Sequence, residues 1–120
     1  MAIEKLHNEF HNISMEEGWE KICGYPAGIQ HKILSGHLNE DSKCGSRTRL
    51  LRIEAGVHTS APVCHDYWEE VYLLSGDLVV GSDVDGYGGT KFISPTYACR
   101  PPGVDHGPFK SNEGCLLLEI

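Results

Sequence analysis

The sequence has few basic residues for its length. Ten Lys and Arg stand against 17 Asp and Glu, which gives a formal net charge of −7 over 120 residues. Affinity for nucleic acid comes largely from basic side chains on phosphates, and anionic membrane surfaces attract basic patches. The composition therefore argues against both kinds of partner. It leaves a small-molecule substrate open, because one local arginine can hold an anion on an acidic protein.

Long apolar runs are also missing. The longest, such as Leu116-Leu117-Leu118, are far shorter than the roughly 20 residues that a membrane-spanning helix needs. The start of the chain, residues 1–5, lacks the basic and then apolar pattern of a signal peptide. The sequence thus predicts a cytoplasmic protein that does not associate with membranes.

The cysteines do not form a disulfide framework. There are five of them, scattered along the chain, and none stands in a C-x-x-C pair. Secreted disulfide-stapled domains normally carry an even number. We therefore expect free thiols, most of them buried or half-buried.

What the sequence does contain is a series of short strand-like segments broken by Gly, Pro and Asp. They cover residues 28–34, 48–53, 71–74, 78–80, 91–93, 97–99 and 115–120. Such segments predict an all-β sandwich or barrel, and no apolar stripe at helical spacing separates them. The length suits one domain. Before it, residues 1–24 form a mixed extension, in which Ser14 and Glu17 fit a helix capping box. A short helical turn and a strand edge are both open there.

Two separated segments carry three potential metal ligands. His65 and Glu69 are four residues apart and would face the same side of an unbroken strand, while a turn between them would also allow them to meet. His106 follows Pro-Pro-Gly, a turn that can direct a side chain toward a barrel mouth. Two imidazoles and one carboxylate form a facial set with open coordination positions. The spacing permits a shared site without proving one.

These segments resemble the paired motifs of the cupin superfamily. The first cupin motif runs Gly, a His-x-His pair, Glu, and a Gly seven residues after that Glu. Glu69 and Gly76 have this spacing, and His65 stands where the second His belongs. The second motif, Pro-x-Gly-x-x-His, is matched by Pro101, Gly103 and His106.

The resemblance covers roughly residues 48–120. Residues 97–103 and 114–117 are also similar to the cupin domain of zinc-binding anti-sigma factors and its stand-alone relatives. It implies a small double-stranded β-helix, or jelly-roll barrel, over residues 25–120, with residues 1–24 as a short N-terminal extension. It also implies a homodimer.

One position departs from the family pattern. The first His of the pair would fall at position 63, where this sequence has Val63. Most metal-loaded cupins use three His and one Glu, so the set here drops to His65, Glu69 and His106. Whether another residue replaces the missing ligand stays open: His58 lies five residues early, Cys64 would point to the other face of a regular strand, and Tyr67 could supply a phenol oxygen.

These ligand types suit one divalent metal ion. Imidazole and carboxylate accept Zn, Fe, Mn, Ni and Cu in varying degree, and the reduced facial set favours Fe or Zn. No thiolate stands at the site spacing, which argues against a closed structural zinc site.

The resemblance implies a metal-dependent enzyme of the dioxygenase, isomerase or lyase type, acting on a small oxygenated organic substrate. Tyr67 or Arg100 would orient that substrate, and Arg100 would clamp a carboxylate in bidentate fashion. An ion pair at the barrel rim is the alternative role for Arg100. The anti-sigma likeness keeps a second hypothesis open, a non-catalytic metal- or ligand-sensing module. Val63 suggests a third hypothesis, a barrel whose metal site has been lost.

Overall fold

The computed structural model describes residues 5–39 and 44–120, which form ten strands and no helix. No helix of these residues is long and apolar enough to cross a membrane. The strands are β1 (Glu20–Lys21), β2 (Ile29–Asn39), β3 (Cys44–Ile53), β4 (Val63–Cys64), β5 (Glu69–Val80), β6 (Thr90–Ile93), β7 (Thr96–Arg100), β8 (Asp105–His106), β9 (Phe109–Lys110) and β10 (Cys115–Glu119). The all-β prediction is confirmed.

Eight strands form one curled sheet around the long strand β5. Their order is β1-β2-β3-β10-β5-β6, and β7 and β9 also pair with β5. The first half of β5 pairs with β10 and β7, and its second half pairs with β6 and β9. β4 and β8 form a separate two-stranded sheet. This curled, antiparallel arrangement is that of a small jelly roll.

Alternation along the strands separates an inner face from an outer one. In β10, Cys115, Leu117 and Glu119 are buried, and the residues between them are half-buried. Because successive side chains of a strand point to opposite faces, the buried set faces the interior. The apolar core consists of Ile29, Ile53, Leu73, Leu78, Cys115 and Leu117.

The described part of the N-terminal extension, residues 5–24, is mostly exposed and contributes an edge strand, and it contains no helical turn. The Ser14 hydroxyl accepts a hydrogen bond from the backbone N–H of Glu17 (3.2 Å), as a cap would. Gly18, at a φ of +82°, then turns the chain away before a helix can continue. β1 follows and pairs with β2. Trp19 stacks against the guanidinium of Arg52, 4.2 Å from the ring centroid.

The cysteines that the structure describes have free thiols, as predicted, but their predicted burial is wrong. Cys23, Cys64 and Cys99 are exposed, and Cys115 is buried. Cys64 and Cys99 occupy the outward positions of β4 and β7. Strand parity therefore overrides the general preference of cysteine for the interior.

Candidate metal centre

His65, Glu69 and His106 meet at one point. His65 lies in the loop between β4 and β5, Glu69 begins β5, and His106 ends β8. Glu69 Oε2 lies 3.6 Å from His65 Nε2, and Glu69 Oε1 lies 3.9 Å from His106 Nδ1. One potential ligand atom from each residue lies within 4.8 Å of the other two. The two sequence segments thus converge on a shared site.

Backbone hydrogen bonds hold the two segments together. β4 and β8 pair so that Val63 stands opposite His106. The N–H of Gly103, in the Pro-Pro-Gly turn, donates to the carbonyl of His65 (2.9 Å). Gly103 adopts a φ of +83°, which L side chains rarely tolerate. The second motif is therefore a turn that aligns its histidine with the first.

The three side chains fit a metal ion. His106 is 6% exposed, and its Nδ1 has no hydrogen-bond partner among the described residues. A buried nitrogen left bare is unusual and calls for an unseen partner. Ligand atoms bound at about 2.1 Å to a common ion stand roughly 3 to 4 Å apart, close to the separations found here. Small rotations of the side chains would bring all three into that range.

Electrostatics keeps the imidazole in the form that binds metal. Burial lowers the pKa of His106 to about 4, helped by the charges of Arg100 and His65. His106 is therefore neutral at neutral pH, as a metal ligand must be. Burial also raises the pKa of Glu69 to about 7; Glu119 raises it further, and Arg100 opposes the shift.

Arg100 and Tyr67 lie on different sides of this site. Arg100 stands directly opposite Glu69 in the β5–β7 ladder, and its Nη1 lies 3.5 Å from Glu69 Oε1. It also lines an apolar cavity beside the site. Tyr67 stacks on the ring of His65, with the ring centroids 4.6 Å apart, and lines a separate, neighbouring depression. Arg100 is thus placed to touch a molecule in that cavity, and Tyr67 packs against the ring of His65.

The residues considered as replacements for the missing histidine lie elsewhere. Val63 points its apolar side chain into the cavity at the position where the family has a ligand. His58 pairs with Lys110 instead, and its ring faces the turn at Gly86. Cys64 is exposed. In residues 5–39 and 44–120, the cluster therefore consists of two imidazoles and one carboxylate.

The cavity beside the site has a volume of about 240 Å³ and mostly apolar walls. Three polar residues that no sequence motif indicated also line it, Tyr25, Arg49 and Glu119. Arg49 and Glu119 form a buried ion pair at 3.1 Å. Alternation along the strands indicates that both charged residues face inward. Arg49 shares its face of β3 with Ile53, and Glu119 shares its face of β10 with Leu117. A charge on a strand's buried face points to a buried partner.

Comparisons with known proteins identify the fold. No protein-family model matches the sequence, and no curated protein matches it. An acetylacetone dioxygenase from Acinetobacter johnsonii superposes with a TM-score of 0.66 at 19% identity, covering 99% of this chain and 76% of that one. An RmlC-like cupin from Shewanella frigidimarina has a TM-score of 0.64 at 19% identity, covering 98% and 91%.

A third similar structure contains a regulatory protein. It is the complex of the Rhodobacter sphaeroides anti-sigma factor ChrR with SigE, with a TM-score of 0.60 at 20% identity. The match covers 88% of this chain and 49% of the other. Together the similar structures show that this chain has the cupin fold, as its two motifs predicted.

Proposed function

We propose that the protein is a metal-dependent enzyme that acts on a small oxygenated organic molecule. One divalent ion, Fe or Zn before Mn, Ni or Cu, would be held by His65, Glu69 and His106. The observation that carries the proposal is the convergence of these three donors at the wall of a mostly apolar cavity, with a bare buried nitrogen on His106. Cavities of this kind, with a few convergent polar groups, are the usual sites of small-molecule chemistry.

The chain's own residues have separate tasks in this proposal. A bound ion would supply Lewis acidity or, as iron, dioxygen activation. Neutral His106 and the Glu69 carboxylate, which would give up its proton to bind the ion, offer lone pairs, and their burial keeps water from competing for them. Arg100, 3.5 Å from Glu69, offers N–H donors at the same wall and orients an oxygen of the substrate. Tyr67 fixes the ring of His65 by stacking on it and so positions that ligand.

Among the possible reactions, a dioxygenase reaction on a diketone-like substrate is the one we place first. Two of the similar structures are described as an acetylacetone dioxygenase and a putative one. Others are KdgF from a Halomonas species and the polyketide cyclase RemF. Isomerase or lyase chemistry on another oxygenated molecule is therefore the next choice.

Oxygen uptake tests this proposal. Metal-free protein is reloaded with Fe(II) and mixed with acetylacetone in an oxygen electrode. We expect uptake that depends on iron and falls to the level of metal-free protein in His106→Ala. The control His58→Ala, which changes a histidine outside the cavity, retains it. Equal uptake by His106→Ala and the wild type would contradict the assignment.

A sensing module is the second candidate, because the fold also resembles that of the anti-sigma factor ChrR. In that case the protein binds one metal ion per chain, turns over none of the oxygenated compounds, and changes its contacts with another protein when the metal binds. Hydrogen exchange measured with and without zinc would reveal such a change. Turnover that depends on His106 would exclude this candidate.

We further infer a cytoplasmic homodimer with no affinity for nucleic acid or membranes. Exposed aromatic side chains support self-association: Trp68, just before β5, is 65% exposed, and Tyr72, at an outward position of β5, is 42% exposed. The net charge of −7 supports the absence of nucleic-acid binding. The division into an extension, residues 1–24, and a barrel, residues 25–120, belongs to the same proposal. Sedimentation analysis tests the dimer.

A further inference from the structure

The cavity contains polar groups that the proposed metal site does not use. Tyr25, Arg49 and Glu119 line it together with the metal ligands. Arg49 and Glu119 stand opposite each other on β3 and β10, and Glu119 stands opposite Val71 on β5. Glu69 is two residues from Val71, on the same inner face of β5. Two strand spacings across the sheet, about 10 Å, and two residues along β5, about 7 Å, therefore separate the Cα of Arg49 from that of Glu69.

The side chain of Arg49 is fixed by two contacts, but one of its hydrogen-bond donors has no acceptor. Its side chain is 7% exposed. Nη2 donates to Glu119 (3.1 Å), and Nη1 contacts His31 Nδ1 (2.9 Å). Its Nε has no hydrogen-bond partner among the residues that the structure describes. A buried N–H without an acceptor costs stability unless another molecule supplies one.

Tyr25 adds a second donor at the same end. Its ring packs against the apolar core and lines the cavity. Within the described ranges, its hydroxyl makes no hydrogen bond. Burial raises the pKa of Tyr25, and the charge of Glu119 raises it further, so the phenol keeps its proton. A protonated phenol without a partner is a ready donor to an acceptor oxygen.

We propose that Tyr25 and Arg49 form a second polar subsite, which binds a neutral acceptor oxygen of the molecule whose other oxygen faces His65, Glu69 and His106. This inference rests on the proposed function and narrows its substrate class. The substrate is an elongated molecule with an apolar middle and two separated carbonyl-type oxygens. Its middle lies against apolar walls such as Leu73 and Leu117.

Charge balance favours a neutral oxygen over a carboxylate. The cavity wall carries two arginines, Arg49 and Arg100, and two glutamates, Glu69 and Glu119. Each arginine already faces a carboxylate, at 3.1 Å for Arg49 and 3.5 Å for Arg100. A second anion beside Arg49 would meet the negative charge of Glu119 in a desolvated site, which is unfavourable. A carbonyl accepts the same hydrogen bonds without that repulsion.

Calorimetry on zinc-loaded protein tests the subsite. The probes are straight-chain diketones of increasing spacing, beginning with acetylacetone and acetonylacetone, each compared with the monoketone of equal carbon number. We expect at least one diketone to bind about fivefold more tightly than its monoketone, as one net hydrogen bond provides. In Tyr25→Phe, the ratio of diketone to monoketone affinity falls to about one, while the zinc content and the monoketone affinity stay unchanged.

Two further variants sharpen the test. Tyr97→Phe is the matched control: Tyr97 lines the same cavity, but its hydroxyl already donates to Glu70 (2.6 Å), so the ratio is retained. The double variant Arg49→Met with Glu119→Leu removes the other donor together with its counter-charge and also lowers the ratio. A ratio of one for every diketone in the wild type, or a ratio unaffected by Tyr25→Phe, would overturn the subsite.

The charge argument and the proposed function are tested separately. Levulinate carries a carboxylate where acetonylacetone carries a second carbonyl. In the metal-free protein, where its carboxylate cannot bind zinc instead, we expect it to bind less tightly than acetonylacetone. Tighter binding of levulinate would overturn the neutral-oxygen assignment. If the wild type holds no zinc, the proposed function fails. The effect of Tyr25→Phe on diketone affinity in the metal-free protein then still decides the subsite.

Discussion

The buried ion pair of Arg49 and Glu119 allows a quantitative prediction about stability. The two side chains are 7% and 12% exposed, and Arg49 Nη2 lies 3.1 Å from Glu119 Oε2. Arg49→Met leaves the Glu119 carboxylate buried without its cation and near a second carboxylate, that of Glu69. Removing one member of a buried pair costs about 3 to 5 kcal/mol, because the other charge stays desolvated and uncompensated. Glu119→Leu likewise leaves the charge of Arg49 buried without its partner.

The double variant should behave differently. Methionine and leucine fill similar volumes without charge, so neither a bare charge nor a large cavity remains. Replacements of this kind are often neutral or stabilising. We therefore expect Arg49→Met with Glu119→Leu to unfold within about 1 kcal/mol of the wild type.

Urea unfolding of metal-free protein, followed by tryptophan fluorescence, gives all four free energies of unfolding. We expect the changes in the free energy of unfolding to be strongly non-additive: each single variant is much less stable than the wild type, and the double variant is nearly as stable. Single variants that each cost less than about 1 kcal/mol, as exposed pairs do, would refute the reasoning. A double variant that costs the sum of the singles would refute it as well.

Three further outcomes follow from the structure. Asp77 accepts hydrogen bonds from Ser111 and two backbone N–H groups; Asp77→Ala should cost about 3 kcal/mol in urea unfolding at pH 7. Burial raises the pKa of Asp77, but these hydrogen bonds outweigh it and hold the pKa below its ordinary 3.8. The loss of unfolding free energy in Asp77→Ala should therefore be largest above pH 3.8 and decrease in stronger acid. A loss that does not change with pH would contradict this. In metal-free protein, Glu69 keeps its proton up to a pKa of about 7, against an ordinary 4.5. The folded state then binds more protons than the unfolded state across this window, so stability falls as pH rises. Glu69→Gln does not lose stability in this way. Its free energy of unfolding relative to the wild type should therefore increase by about 2 to 3 kcal/mol between pH 4.5 and 8, and an unchanged difference would contradict the burial argument. Val63→His places an imidazole on the cavity wall opposite His106. We expect at least about tenfold tighter zinc binding in competition with a chromophoric chelator, and unchanged affinity would show that position 63 does not face the ion.

The fold and the ligand trio could be predicted because their signals are local or carried by motif spacing. Alternation in β10 sets which residues face inward, and turn residues mark the strand ends. Glu69 and His106 belong to motifs whose spacing is tied to one architecture. The Pro-Pro-Gly turn needs a positive φ at Gly103, which the sequence itself supplies.

Strand parity indicates that Arg49 and Glu119 face inward, but their partners could not be predicted, because the second polar cluster depends on pairing between distant strands. Arg49 and Glu119 are 70 positions apart, and only the β3–β10 register puts them opposite each other. Tyr25 precedes β2 in a stretch with no strand pattern, so nothing in the sequence assigns its ring to the cavity. Of the two structures left open after Ser14, the helical turn does not form, since Gly18, at a φ of +82°, turns the chain away.

Metal stoichiometry shows whether His65, Glu69 and His106 together bind an ion. Elemental analysis of purified protein, reloaded with zinc and freed of excess metal, should find one ion per chain in the wild type and in His58→Ala. It should find almost none in His106→Ala or Glu69→Ala. A full equivalent of zinc in His106→Ala, or no zinc in the wild type, would contradict a metal centre formed by His65, Glu69 and His106.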